Sequence, residues 1–71
     1  MTTRIDARGM RCPWPAIRLA RALRDAGPGS EIEILADDPA APRELERAAL
    51  QAGAAFVRSD FAKFVVRMAP E

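Results

Sequence analysis

Two kinds of hydrophobic rhythm run through the chain, and their order predicts an alternating α/β fold. The run Glu31-Ile32-Glu33-Ile34-Leu35-Ala36 alternates with a period of two, so Ile32, Ile34 and Ala36 are expected on the buried face of a strand. Before it, Ala16, Ile17, Leu19, Ala20 and Leu23 recur at helical spacing. They predict a helix that starts near Pro13 or Pro15, ends at Ala26 and is stopped by Gly27-Pro28-Gly29. Arg18, Arg21 and Arg24 lie off that stripe and are expected in solvent. A second helix is predicted from Ala41 to Ala52, with Leu45, Ala48, Ala49 and Ala52 inward and Gly53 as its stop.

Strands complete both ends of the pattern. Thr3 to Ala7 reads as a short first strand closed by Gly9. Ala55–Arg58 and Phe61–Met68 read as a final pair joined at Ser59-Asp60, with Ala62, Phe64, Val66 and Met68 on one face. The predicted order is β-α-β-α-β-β. The first two strands, joined through a helix, should form a right-handed parallel crossover. The expected fold is α/β, a two-layer α/β sandwich with a four-stranded mixed sheet and both helices on one face. The alternation in the second strand supports this, because a sheet covered on both faces reads as continuously apolar.

Composition bounds what such a chain can be. With 71 residues, 49% of them hydrophobic, and a net charge of +1, a single folded domain over residues 1–71 is expected rather than disorder. The lone cysteine excludes an internal disulfide scaffold and favours a reducing compartment. Arg4, Asp6 and Arg8 stand where a signal peptide would need an apolar run, and no stretch approaches bilayer length. A cytoplasmic protein with no membrane association is the expectation. The balanced total hides an asymmetry. Residues 1–24 hold six arginines against one acid, +5, while residues 25–71 hold five basic and nine acidic side chains, −4. Such a basic run is most often a solvated helix face.

Cys12 lies in the basic half, within Gly9-Met10-Arg11-Cys12-Pro13-Trp14-Pro15, between the first strand and the first helix. A lone cysteine is more often a small buried hydrophobe than a nucleophile. Its setting beside two prolines at a strand-to-helix turn shifts that balance toward chemistry. An unperturbed thiol of pKa about 8.5 is only about 3% ionised at pH 7. A helix N-terminus offers an adjacent anion about 0.3–2 kcal/mol, and Arg8 and Arg11 stand near Cys12 in sequence, so a depressed thiol pKa is expected. Pro13 and Pro15 lack an N–H, which leaves the Trp14 and Ala16 amides as donors beside the sulfur. Trp14, preceding a proline, is biased out of the helical region.

Other chemistries find no support. There is no histidine for a Cys–His pair, no ligand set for zinc, and no glycine-rich phosphate loop, so neither metal nor cofactor is expected. Asp37-Asp38-Pro39 reads as a carboxylate pair or a metal clamp or, more commonly, as a helix cap. Trp14 reads equally as a docking residue for a partner or as a staple over the first helix.

The run from Asp6 to Pro15 resembles the signature of the TusA/SirA-like sulfur carrier proteins, whose mark is Cys-Pro-x-Pro at the start of the first helix. Ala36-Asp37-Asp38-Pro39-Ala40 matches that family's similar motif after the second strand, and Gly27-Pro28-Gly29 falls at its Pro-Gly turn. The resemblance spans almost the whole chain. It implies a persulfide carried on Cys12, with Gly9, Pro13, Trp14 and Pro15 shaping the helix mouth. It implies partners too: a cysteine desulfurase or rhodanese-like donor, and an acceptor protein with a reactive cysteine. Such relays serve tRNA 2-thiouridine formation, molybdenum cofactor metabolism or sulfur oxidation. The implied activity is that of a sulfurtransferase acting as a covalent carrier. The implied fold is a two-layer sandwich like the C-terminal domain of bacterial translation initiation factor three. Trp14 stands where the family is often acidic or aliphatic, the second helix is alanine-rich, and the final hairpin reads as short; these departures bear on which acceptor docks.

Two further readings compete. The arginine row could serve a non-enzymatic regulatory or RNA-binding module, although aromatic residues do not interleave with the arginines as a stacking platform would need, so direct nucleic-acid binding is not expected. Cys12 could also form mixed disulfides as a redox partner, but no resolving cysteine is present. An acidic surface on a sulfur donor or acceptor explains Arg8, Arg11, Arg18 and Arg21 as well as RNA does. A monomer suits a thiol that must meet two partners in turn.

Overall fold

The structure, a computed structural model, describes residues 2–70. Its elements run β1 (Thr2–Asp6), α1 (Trp14–Ala26), β2 (Glu31–Leu35), α2 (Ala41–Gln51), β3 (Ala54–Asp60) and β4 (Lys63–Met68). The four strands lie in the order β1-β2-β4-β3, with β1 parallel to β2 and the other neighbours antiparallel. This is the expected two-layer sandwich.

One face of the sheet carries the core. Ile32 pairs with Val66 and Ile34 with Phe64, and all four are fully buried against Leu19 and Leu23 of α1 and Leu45 and Ala49 of α2. The alternate residues meet solvent. There Glu33 takes Arg4 at 3.5 Å and Lys63 at 3.4 Å, and Glu31 takes Arg67 at 2.7 Å. Surface pairs of this kind add little to stability, but they keep the uncovered face polar.

The helices turn slightly away from the expected stripes. In α1 the buried row is Pro15, Leu19 and Leu23, a strict i, i+4, i+8 series, so Ile17 is 48% exposed and Ala20 is also exposed. Both were expected inward. They border the groove between the helices instead, opposite Glu44, Arg47 and Gln51, because the sheet covers only one edge of a broad apolar arc. In α2 the row is Ala41, Leu45 and Ala49, and Ala52 is exposed because the helix ends at Gln51. Trp14 is helical despite preceding a proline, so α1 begins between the two starting points considered.

The last hairpin is longer than expected, and its turn lies two residues later, at Phe61-Ala62 rather than Ser59-Asp60. A register shift between Arg58 and Asp60 absorbs Ser59. The turn is held by polar contacts that alternation does not reveal. The Arg58 guanidinium donates to the Phe61 carbonyl at 2.6 Å, and the Phe61 N–H donates to Asp60 Oδ1 at 2.7 Å. Phe61, read as a strand residue, is 82% exposed at the tip.

Candidate functional site

The parallel pairing of β1 and β2 brings the loops that follow them to one end of the sheet. Residues 7–13 leave β1 and residues 36–40 leave β2, side by side. The Ala7 N–H donates to the Leu35 carbonyl at 2.8 Å, extending the ladder by one step before the chains part. The Gly9 N–H then crosses to Asp37 Oδ1 at 2.9 Å. Gly9 has φ +82°, and a Cβ there would meet nothing within 4 Å, so its glycine is required by backbone conformation and not by space. The partly buried Met10 packs on the core from the same loop.

Cys12 follows, half-exposed, at the mouth of α1, and its peptide bond to Pro13 is cis. The Trp14 N–H is taken by the Arg11 carbonyl at 2.9 Å and the Ile17 N–H by the Pro13 carbonyl at 3.0 Å. Of the two amides expected beside the sulfur, only that of Ala16 is without an acceptor among the described residues.

The electrostatics reverse the sequence expectation. Burial raises the Cys12 pKa above the ordinary thiol value, and the charges of Glu44 and then Asp38 raise it further. The arginines that are near in sequence do not serve the sulfur. Arg8 folds back on Asp6 in a bidentate pair, with Nε and Nη2 each 2.9 Å from a carboxylate oxygen. Arg8 and, to a lesser degree, Arg18 hold the Asp6 carboxyl down at about 2. Glu44 is the residue that sequence reading missed. It sits in the first turn of α2, and only the packing of α2 beside α1 brings it to a thiol so distant in the chain. A sharp expectation follows. Alkylation of Cys12 by iodoacetamide should rise with pH to a midpoint above that of an ordinary peptide thiol, because the proton is held to higher pH. Asp38→Asn and Glu44→Gln should each lower the midpoint and speed the reaction at neutral pH. A wild-type midpoint at or below the ordinary value would refute the assignment.

The second motif is not a simple cap. Asp38 Oδ1 accepts the Ala40 N–H at 2.9 Å and the Asp38 carbonyl accepts the Ala41 N–H, which starts α2 without a side-chain bond from its N-cap residue, Ala40. Asp37 is spent on Gly9. Pro39 is exposed and borders two shallow depressions, one with Pro42 and Glu44, the other with Arg58 and Phe61.

Gly9, Met10, Arg11, Trp14 and Arg18 line an open groove of about 520 Å³. Trp14 is 60% exposed and forms no staple. Arg18 reaches the Asp6 carbonyl only at 3.5 Å. Arg21 is exposed on α1 but does not border this groove.

Cys12 is thus a half-exposed thiol on a loop that the Gly9–Asp37 bond braces, with the Trp14 groove close by in the chain. The family model described as sulfurtransferase TusA matches residues 3–68, and the chain belongs to that family. Its function is therefore that of a sulfur carrier or sulfurtransferase, and proteins of the family interact with sulfur donor and acceptor proteins. A crystal structure of a SirA-like protein from Desulfitobacterium hafniense is similar over 100% of both chains, with 31% sequence identity and a TM-score of 0.75. Among the described residues no helix is long and apolar enough to cross a membrane.

Proposed function

We propose that the chain, acting as one domain over residues 1–71, carries sulfur as a persulfide on Cys12. It takes the sulfur from a cysteine desulfurase or rhodanese-like donor and delivers it to a cysteine on an acceptor protein. The observation that carries this reading is the single thiol of the chain, half-exposed at the mouth of α1 in a chain of the TusA family. In the first step the Cys12 thiolate attacks the terminal sulfur of the donor's persulfide. A new S–S bond forms on Cys12, the donor's S–S bond breaks, and the donor cysteine leaves as a thiolate that takes up a proton. Delivery repeats the exchange with Cys12 as the leaving thiolate, so no outside oxidant or reductant is consumed.

The raised thiol pKa bears on both steps. A thiolate from a high-pKa thiol is the stronger nucleophile but is scarce at neutral pH, and it leaves more slowly on delivery. A partner that brings a cation to Glu44 or Asp38 relieves the repulsion and frees the thiolate when it docks.

Incubation with a desulfurase, its cofactor and cysteine should add the mass of one sulfur atom, removable by a thiol reductant. Failure of the folded chain to load from any donor of either class would sink the reading.

The groove at Trp14, Arg11 and Arg18 fits an acidic surface on such a partner, with the indole as its anchor. Trp14→Ala is expected to weaken donor binding by about 2 kcal/mol, roughly thirtyfold in Kd. Arg11→Glu and Arg18→Glu should mainly slow association and reduce its salt dependence. Titration calorimetry and stopped-flow mixing measure these, and an unchanged Kd for Trp14→Ala would exclude this groove as the docking surface.

A further inference from the structure

The loop that presents the thiol has few ties to the rest of the fold. Of its backbone donors, Arg8 bonds to Asp6 and Met10 to Ala7, both within the same stretch of chain. Among the described residues only Ala7 and Gly9 donate to another segment, Ala7 to the Leu35 carbonyl and Gly9 to Asp37 Oδ1. Gly9 is therefore, among the described residues, the last backbone donor before Cys12 that reaches a different segment, and its partner is a side chain. Asp37 is exposed and close enough to Arg8 for its charge to act there, yet it forms no ion pair among the described residues. The next residue, Asp38, opens α2, where Glu44 stands. One carboxylate thus joins the segment bearing the thiol to the segment bearing the two acids that face it.

We propose that Asp37 is a positioning residue for sulfur transfer: through its bond to the Gly9 N–H it fixes where Cys12 stands relative to the start of α2. The proposal rests on Cys12 as the carrier thiol and adds to it. Transfer between two sulfurs needs the thiolate, the attacked sulfur and the leaving sulfur in line, and displacement by a fraction of an ångström to an ångström misaligns them. Asp37 takes no part in bond making. It acts through Gly9, whose N–H it holds at 2.9 Å.

Three variants separate the tether from the charge. Asp37→Asn keeps an acceptor oxygen for Gly9 and loses the charge, Asp37→Ala loses both, and Asp37→Glu keeps the charge on a longer stem. They are compared with a cysteine desulfurase that loads the wild-type chain, by intact mass at increasing carrier concentration. Asp37→Ala is expected to lower the saturating loading rate on the order of 10- to 100-fold with little change in the half-saturating concentration. Asp37→Asn should stay within about threefold of wild type, as an acceptor for one backbone amide requires no charge. The alkylation midpoint of Cys12 should fall toward the ordinary thiol value in Asp37→Ala, as the thiol drifts from Glu44 and Asp38, and hold in Asp37→Asn. Amide hydrogen exchange should find Gly9 protected in wild type and in Asp37→Asn.

Loading by Asp37→Ala at the wild-type rate overturns the proposal while the carrier reading stands. So does an Asp37→Asn as slow as the alanine variant, which would assign the effect to charge. An unprotected Gly9 amide in the wild-type chain overturns it even if the alanine variant does not fold. If no donor loads the wild-type chain, the carrier reading falls and takes this inference with it.

Discussion

Cys12→Ser is expected to abolish sulfur loading completely while leaving the fold intact. The chain holds no second cysteine, so no other side chain can take over the persulfide. A serine hydroxyl is not ionised at neutral pH and makes no bond to a sulfur atom that a thiol would then release. Structurally the change is small. Cys12 is half-exposed and outside the buried core, so exchanging sulfur for oxygen should move the unfolding free energy by no more than about 0.5 kcal/mol. Intact mass after incubation with donor reads the first expectation, and circular dichroism with chemical denaturation reads the second. A serine variant that still gains a reducible sulfur would mean that the sulfur is bound elsewhere than at residue 12.

That variant also separates the functions of the two sides of the loop. If Trp14, Arg11 and Arg18 dock a partner, Cys12→Ser should bind the donor as tightly as wild type while accepting nothing from it. Binding and transfer are then distinct properties of adjacent residues. Arg8, next to Gly9 in the chain, gives its Nε and Nη2 to Asp6 and keeps Nη1 outside that pair.

How far the sequence disclosed this architecture depends on whether a feature is local. The strand at β2 and the order of all six elements follow from period-two and helical patterns that each segment carries itself. Cys12 at the mouth of α1 follows from the Pro-Trp-Pro run in the same way. The features that were misread depend on contacts between distant segments. Ile17 and Ala20 are apolar at helical spacing, and nothing in α1 says that the sheet will cover Pro15, Leu19 and Leu23 instead. The turn at Phe61-Ala62 is set by Arg58 and a bulge at Ser59, which an alternation count passes over. The charge around the thiol is the largest of these. Arg8 and Arg11 are close in sequence, but Glu44 and Asp38 are close in space, and only the packing of the two helices on one sheet decides between them. Asp37 reads as a cap from its place before Asp38-Pro39, and its bond to Gly9 depends on β1 and β2 being parallel neighbours.

The same sheet makes the fold depend on one aromatic ring, and Phe64→Ala is expected to unfold a large part of the population. Phe64 is fully buried in β4, the strand between β2 and β3, and it pairs with Ile34 on one side and Arg58 on the other. Its ring stacks on Phe56 at 5.6 Å between centroids, with the Arg58 guanidinium 5.5 Å from its centre. Truncating a core phenylalanine costs about 3–5 kcal/mol, most of it lost transfer free energy and the cavity left behind. Domains are stable by only about 5–15 kcal/mol, and small ones, which bury less of their surface, lie toward the low end. For a chain of this size the cost corresponds to a fall of roughly 15–30 °C in Tm. Phe64→Leu keeps most of the volume and should lose much less, while Arg58→Ala, which removes only the cation over the ring and the bonds at the turn, should cost about 1–2 kcal/mol. Thermal and denaturant unfolding of the three variants measure this order, and a loss below about 1 kcal/mol for Phe64→Ala would show that the core closes around the gap. The functional consequence differs in kind from that of Cys12→Ser. The Ala36 N–H donates to the Ala62 carbonyl at 2.9 Å, so the loop carrying Asp37 is anchored to the start of β4. Loosening β4 therefore releases Asp37 and, through Gly9, the loop that presents the thiol. Phe64→Ala should lose sulfur loading in proportion to its unfolded fraction and regain it on cooling toward the temperature of maximum stability, whereas Cys12→Ser should regain it at no temperature.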